Sequence, residues 1–206
     1  DGGINISSNN GALSSTTNRL STTGTLTIST GSGNIDIDTS AGTADVTSTG
    51  SINVSDSGAL TITGTAWDNA SVTVGAGALT VDTGVSLGNS SADATVAATS
   101  LTLHASNAGD IYVADTDGLT ITGGTSTGVV DISSTGAISL TGALTASTAS
   151  KSVSIDAGTN TYTQNDVDMA AGANAITIIA DGIAITDNTD NNALQTTGTL
   201  TVKQKT

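Results

Sequence analysis

Pairs of aspartates separated by one residue are the groups in this sequence best suited to chemistry. They are Asp36/Asp38, Asp115/Asp117 and Asp166/Asp168. Residues two apart on a β-strand lie on the same face, so each pair could place two carboxylates side by side. Such a pair can hydrolyse a glycosidic bond, one group as acid and the other as base or nucleophile. Sugar clefts normally also contain aromatic side chains, and this chain has one Trp, two Tyr and no Phe. We therefore expect no enzymatic activity, with a polysaccharide-active β-helix as the alternative.

Four of the acidic side chains are also candidate calcium ligands. Asp115 and Asp117 flank a threonine, and Asp187 and Asp190 belong to the oxygen-rich stretch DNTDNN. Calcium takes several oxygens from carboxylates, carbonyls and water. Neither stretch matches an EF-hand loop, so solvated acidic turns are the other interpretation. No other cofactor is expected.

The single histidine, His104, ends the segment SLTLH on its outward side. An imidazole beside a hydroxyl can act as its base, and Ser106 and Asp110 follow closely in sequence. No nucleophile elbow accompanies them, so we expect an exposed histidine at a strand end.

Three aromatic residues, Trp67, Tyr112 and Tyr162, are the large amphipathic groups available for contact with a partner. Exposed aromatic side chains are favoured anchors at interfaces. The alternative for Trp67 is that it covers a loop against the body of the protein.

Threonine pairs of the form TxT raise a further alternative, a flat ice-binding face. The pairs are Thr25/Thr27, Thr61/Thr63, Thr120/Thr122 and Thr199/Thr201. Equivalent positions elsewhere are taken by Asp36, Asp82, Tyr112, Asp131 and Lys203. Threonine on an exposed strand is more simply explained by its β-propensity.

All of these side chains are positioned by one recurring short phrase. Examples are GTLTI at 24–28, GNIDI at 33–37, GALTI at 58–62, GAISL at 136–140 and GTLTV at 198–202. In each phrase two apolar residues flank a polar one, so a period of two puts both apolar side chains on one face. Most of these phrases recur at intervals near 8 to 10 residues or near twice that, which is typical of stacked solenoids.

Composition favours a narrow tube over a globular core. The chain has no proline, which suits a parallel ladder because every amide there must donate a hydrogen bond. Glycine before a strand permits a corner with positive φ. The sequence predicts an all-β fold, a right-handed parallel β-helix with about 18–20 residues per coil. We expect one segment over residues 1–206, part of a longer chain, with projecting loops near 7–23, 63–71, 156–175 and 186–197.

Charge restricts the partners. The sequence contains 4 basic and 18 acidic residues, a formal net charge of −14. This balance repels nucleic acid and anionic lipid surfaces, and no apolar run is long enough to insert in a membrane as a helix. Cysteine is absent, which is consistent with a secreted bacterial protein.

The repeats GALTIT, GAISLTGALTA and GNIDIDT resemble those of filamentous haemagglutinin-like exoproteins, the large adhesins exported by two-partner secretion. The resemblance covers most of the chain. It implies an elongated, extracellular, cell-surface shaft that presents or spaces binding regions, with cell-surface glycans or proteins as partners. Strand patterns that continue to both ends of the sequence add the expectation that copies or flanking repeats stack end to end, and not through their sides.

Overall fold

The fold is an all-β coil, given by a computed structural model. The structure describes residues 3–9, 11–22, 24–30, 35–41, 43–47, 52–56, 58–63, 66–67, 70–74, 77–82, 85–103, 109–146, 151–188 and 192–205. Within these ranges there is no helix. Their strands are β1 Ile4–Ser8, β2 Leu13–Leu20, β3 Leu26–Thr30, β4 Ile35–Thr39, β5 Thr43–Thr47, β6 Ile52–Asp56, β7 Leu60–Thr63, β8 Ala66–Trp67, β9 Ala70–Val74, β10 Ala78–Val81, β11 Ser86–Leu87, β12 Ala94–Ala97, β13 Ser100–Leu103, β14 Ile111–Asp115, β15 Leu119–Ser126, β16 Val130–Ser134, β17 Ile138–Leu140, β18 Leu144–Ala146, β19 Val153–Asp156, β20 Thr161–Asn165, β21 Met169–Gly172, β22 Ile176–Ile179, β23 Gly182–Thr186, β24 Leu194–Thr196 and β25 Leu200–Lys203.

Two parallel sheets form the length of the coil. Sheet 1 has the order β1-β3-β5-β7-β10-β13-β15-β17-β20-β23, and sheet 2 has the order β2-β4-β6-β9-β12-β14-β16-β19-β22-β25. Successive strands of each sheet are one coil apart in sequence, so the predicted parallel β-helix is confirmed. Coil length varies more than the predicted 18–20 residues, since Ile35 pairs with Ile52, seventeen residues on, whereas Ile176 pairs with Leu200, twenty-four on.

The longer coils contain a third face. The end of β15 pairs with β18, which pairs with β21, which pairs with β24, and we call this ladder sheet 3. The chain turns from sheet 1 into sheet 3 within β15, at Gly123 and Gly124, whose φ angles are 102° and 126°. Residues with a side chain rarely adopt such backbone angles, so glycine permits this corner inside a strand.

The core consists of columns of apolar, mostly aliphatic side chains inside the tube. Inward residues of successive strands stack in register, as Leu101, Ile121 and Leu140 do in sheet 1, and all three are fully buried. Burial of each such side chain contributes roughly 1.5–3 kcal/mol. The cluster extends without a break from Leu26 to Ala180 along the described chain.

Glycines before the strands mostly serve close packing between coils, which corrects the expectation of positive φ at each corner. Gly118 does have a positive φ of 127°, but Gly136 and Gly142 do not. A Cβ at Gly136 would collide with the carbonyl oxygen of Asp117, and one at Gly142 with that of Thr122. These residues are glycine because the backbone of the preceding coil occupies the space of a side chain.

Many corners share a hydrogen-bonded turn. An Asp, Ser or Thr side chain accepts a bond from the backbone N–H of a glycine two residues later, an arrangement that stabilises a turn locally. The pairs are Thr22–Gly24, Asp56–Gly58, Ser126–Gly128, Ser134–Gly136, Asp156–Gly158 and Thr196–Gly198, with distances of 2.8–3.0 Å. The motif is visible in the sequence as an Asp, Ser or Thr two residues before glycine.

The four stretches expected as projecting loops contain strands instead. Residues 7–23 include β2, residues 63–71 include β8, residues 156–175 include β20 and β21, and residues 186–197 include β24. Loops were predicted because the repeated phrase is absent there. Pairing with neighbouring coils supplies the stabilisation that local pattern lacks, so strands form regardless.

Candidate functional site

The Asp115 carboxylate lies inside a corner, where it holds its own turn. The residue is 2% exposed, and its Oδ2 accepts bonds from the N–H of Gly118 at 2.7 Å and of Asp117 at 3.3 Å. Ser134 Oγ, one coil away, donates to the same oxygen at 2.8 Å. Asp115 Oδ1 has no hydrogen-bond partner and is buried. Asp117 is exposed, so the two carboxylates do not share a face.

The other predicted calcium ligands are only partly placed. Asp187 Oδ2 accepts a bond from the Ala193 N–H at 3.0 Å, and Asp190 lies outside the described residues. Among the residues that the structure describes, no group of three or more His, Cys, Asp or Glu side chains is arranged to hold a metal ion. Calcium binding stays a prediction.

The remaining carboxylate pairs also lie in different settings. Asp36 and Asp38 are both half-buried on the outward face of β4. Asp166 has a φ of 55°, which interrupts the alternation, and Asp168 Oδ2 accepts a bond from Gln195 Nε2 at 2.9 Å. Only the first of the three pairs thus keeps the predicted side-by-side placement on a strand.

Aspartates of neighbouring coils do not stack on one another in the described ladders. Asp36 is in register with Ser14 and Asn53, and Asp131 is in register with Tyr112 and Ser154. Because these neighbours carry no carboxylate, the ladders avoid the repulsion of about 1 kcal/mol expected for two carboxylates 4.8 Å apart in water. The described ladders therefore offer calcium no stacked pair of carboxylates.

The residues considered together with the single histidine are only partly described, since His104 and Ser106 both lie outside the described residues. Asp110 is described, and its Oδ1 accepts bonds from the Val129 N–H at 2.7 Å and from Lys151 Nζ at 3.3 Å. This carboxylate is thus held by a corner and by an ion pair on the surface.

Two of the three aromatic residues are not surface anchors, which corrects the prediction for them. Trp67 and Tyr162 are fully buried, and Trp67 Nε1 donates to the Thr63 carbonyl at 3.0 Å. Tyr112 is half-buried on the outward face of β14, beside Asp131. Its partial burial and the nearby charges of Asp110 and Asp131 raise the pKa of the Tyr112 hydroxyl.

A buried polar cluster around Tyr162 was missed from the sequence. Tyr162 donates to Gln164 Oε1 at 2.7 Å, and Gln164 Nε2 donates to the carbonyls of Val167 at 2.8 Å and Ala193 at 2.6 Å. Both side chains are fully buried. The alternation Thr-Tyr-Thr-Gln over 161–164 is the signal that places Tyr162 and Gln164 inward together. The cluster connects β20 to the turns that precede β21 and β24 of sheet 3.

One open surface depression is lined by residues without charge. A depression of about 440 Å³ on sheet 3 is lined by Ala170, Gly172, Gln195, Thr196 and Thr197. None of these residues is ionisable, so this depression offers no acid or base.

Comparisons with protein families, curated proteins and solved structures give no match. The part of the chain that the structure describes contains no helix long and apolar enough to cross a membrane.

Proposed function

We propose that this chain is a non-catalytic shaft segment of a secreted bacterial cell-surface or extracellular-matrix adhesin or filament. The observation that supports this proposal is the continuous, mostly aliphatic core, which extends through successive coils from Leu26 to Ala180. Each coil contacts its neighbours, so the stack is a stiff rod whose length scales with the number of coils. A spacer needs these two properties and no reactive site.

The proposed adhesin family is supported by the repeated phrases of the sequence together with the β-solenoid fold. Cell-surface glycans or proteins are proposed partners. End-to-end contact with other copies or flanking repeats is also part of the proposal, because Leu200 and Val202 of β25 are 48% and 44% exposed although they are in register with the buried Ile176 and Ile178.

Removal of one whole coil tests the shaft proposal. Deletion of residues 119–137 brings Ile138 to the position of Leu119, its own register partner. A spacer should keep its β signal and cooperative melting, and small-angle scattering should show a rod shortened by about 4.8 Å. The control is deletion of residues 119–127, which moves sheet 2 strands into sheet 1 and should lower the melting temperature.

Catalysis is tested separately by release of reducing sugars from neutral and acidic glycans. The shaft proposal expects none. Activity that Asp36→Asn or Asp115→Asn abolishes would overturn it and favour the polysaccharide-active alternative.

A further inference from the structure

Charged residues are distributed unequally between the two long sheets. Within the ten strands of sheet 1 the only charged residue is Asp45. The strands of sheet 2 contain six aspartates and two basic residues, Arg19 and Lys203. Four of the aspartates are outward, namely Asp36, Asp38, Asp131 and Asp156, whereas Asp56 and Asp115 are buried. If outward polar residues served only strand formation, the two sheets would not be expected to differ in their number of charged residues.

Seven consecutive strands of sheet 1 form an outward face without charge. They are β7, β10, β13, β15, β17, β20 and β23, and we call their outward surface the neutral face. Its outward residues are Thr, Ser, Ala, Asn and Gly, for example Ser100, Thr120 and Ser139 in one register column. Carboxylates border this face: Asp45 of β5 is in register with Thr63, and the adjoining corners contain Asp82, Asp117, Asp166, Asp181 and Asp187.

Several hydroxyls of the neutral face are already hydrogen-bonded within it. Thr102 Oγ1 and Thr122 Oγ1 are 2.5 Å apart, and Thr122 Oγ1 also lies 3.2 Å from the Leu101 carbonyl. At the edge of the face, Thr63 Oγ1 donates to the Ala44 carbonyl of the adjoining strand β5 at 3.3 Å. A hydroxyl with a partner inside the face loses less when water is removed, so this face can be covered at a low desolvation penalty.

We propose that the neutral face is a lateral docking surface for a second copy of this chain. A chain of net charge −14 repels its own copies, and contact through sheet 2 would bring carboxylates together. The neutral face is the long surface on which two copies meet without that repulsion. A two-fold contact is self-complementary, because it uses the same patch on both copies.

The size of the patch sets the expected strength. Seven strands spaced about 4.8 Å apart, each about 15 Å long, give roughly 500 Å² per copy and about 1,000 Å² in total. This area is at the lower limit for specific interfaces, so the pair should be weak and concentration-dependent. Lateral pairing goes beyond the proposed shaft and departs from the expectation, drawn from the sequence, that copies do not meet through their sides. The shaft would stand as a single rod if pairing fails.

The middle strand of the seven is β15, so a two-fold axis through the patch centre places Thr120 near its own counterpart. Thr120→Asp would then set two carboxylates against each other. Thr177→Asp is the matched control, since Thr177 is a half-buried outward threonine in sheet 2 with Ser154 and Thr201 as register neighbours. Thr120 likewise lies between Ser100 and Ser139.

The test is sedimentation equilibrium with small-angle scattering on the 206-residue chain up to about 1 mM. We expect a cross-section that grows with concentration, unchanged by Thr177→Asp and at least about tenfold weaker pairing with Thr120→Asp. A mixture of Thr120→Asp and Thr120→Lys should pair more tightly than either alone. Growth in length without growth in cross-section, or equal losses from Thr120→Asp and Thr177→Asp, would overturn the proposal. So would a chain that stays single but binds an insoluble neutral glucan through Thr120, because the occupant would then be a polysaccharide. Melting curves confirm that each variant is folded.

Discussion

Lys205 Nζ lies 2.8 Å from Asp156 Oδ2, across 49 residues of sequence. Asp156 ends β19 and pairs with Ile179 of β22, which in turn pairs with Lys203 of β25. Lys205, which follows β25, thus reaches past β22 to β19. The ion pair connects two coils that are not adjacent in sheet 2.

The ion pair should make stability depend on pH. Partial burial opposes ionisation of Asp156, but hydrogen bonds from Lys205 and the Gly158 N–H, with the charge of Lys203, outweigh it and lower the pKa of Asp156. The resulting stabilisation is present above the unfolded-state pKa of about 4 and is lost as pH falls through the lower folded-state pKa. Asp156→Asn should lower the free energy of unfolding at pH 7 by under about 1 kcal/mol, because both side chains are partly exposed. Urea titrations at neutral and strongly acidic pH check this, and an equal difference at both would contradict it.

Asp131 should show the opposite sign. Its burial raises the pKa of its carboxyl against the hydrogen bond from Ser154, and the charges of Asp93 and Asp156 raise it further. Stability linked to this group is present below the unfolded-state pKa and is lost as pH rises through the higher folded-state value. Asp131→Asn should therefore raise the urea midpoint at pH 7 and have no effect near pH 2. A lower midpoint at pH 7 would show that the charge is favourable in the fold.

The buried cluster of Tyr162 and Gln164 should be strongly coupled. Tyr162→Phe leaves Gln164 Oε1 without its donor, which costs about 1–3 kcal/mol in a buried site. Gln164→Leu removes the side-chain donor to the Val167 carbonyl, whereas the Ala193 carbonyl keeps the bond from the Met169 N–H at 2.9 Å. We expect the double variant to lose less than the sum of the single losses, by at least about 0.5 kcal/mol, measured by urea unfolding. Additive losses would mean that the hydrogen bond contributes little.

Close contact between coils predicts a difference between two glycines. Gly142→Ala would drive a methyl group into the Thr122 carbonyl, whereas a Cβ at Gly58 would have its nearest neighbour, Asp56 Oδ1, at 3.7 Å. Gly142→Ala should cost about 1–3 kcal/mol, as overpacking does, and Gly58→Ala should be near neutral. Thermal melts of the two variants decide the matter, and similar melting temperatures would refute close packing as the role of Gly142.

Inward and outward neighbours on β15 should respond differently to the same charge. Ile121 is fully buried between Leu101 and Leu140, and Thr120 points outward beside it. Ile121→Asp should unfold several coils, since an unpaired carboxylate in the tube costs several kcal/mol. Thr120→Asp should keep the fold, as followed by circular dichroism. Comparable loss from both changes would refute the alternation.

The period-two alternation was sufficient to predict the parallel coil and its inward residues. In phrases such as GALTI at 58–62 each strand needs only two apolar side chains, and their spacing is a local property of the chain. Leu60 and Ile62 are buried as that spacing predicts. The same alternation also contained the inward placement of Tyr162 and Gln164, although their residue types suggested a surface position.

Tertiary structure alone decided which coil faces which. The strands are nearly alike, so a strand's sheet and register depend on corners and on coils that vary from seventeen to twenty-five residues, as the pairs Ile35–Ile52 and Leu144–Met169 show. Local pattern does not encode the register, because register also depends on close backbone contact between coils, as at Gly136 and Gly142. For that reason the sequence could not show that Asp131 lies between Tyr112 and Ser154, or that the two long sheets differ in charge. Those relationships exist only once the coils are stacked.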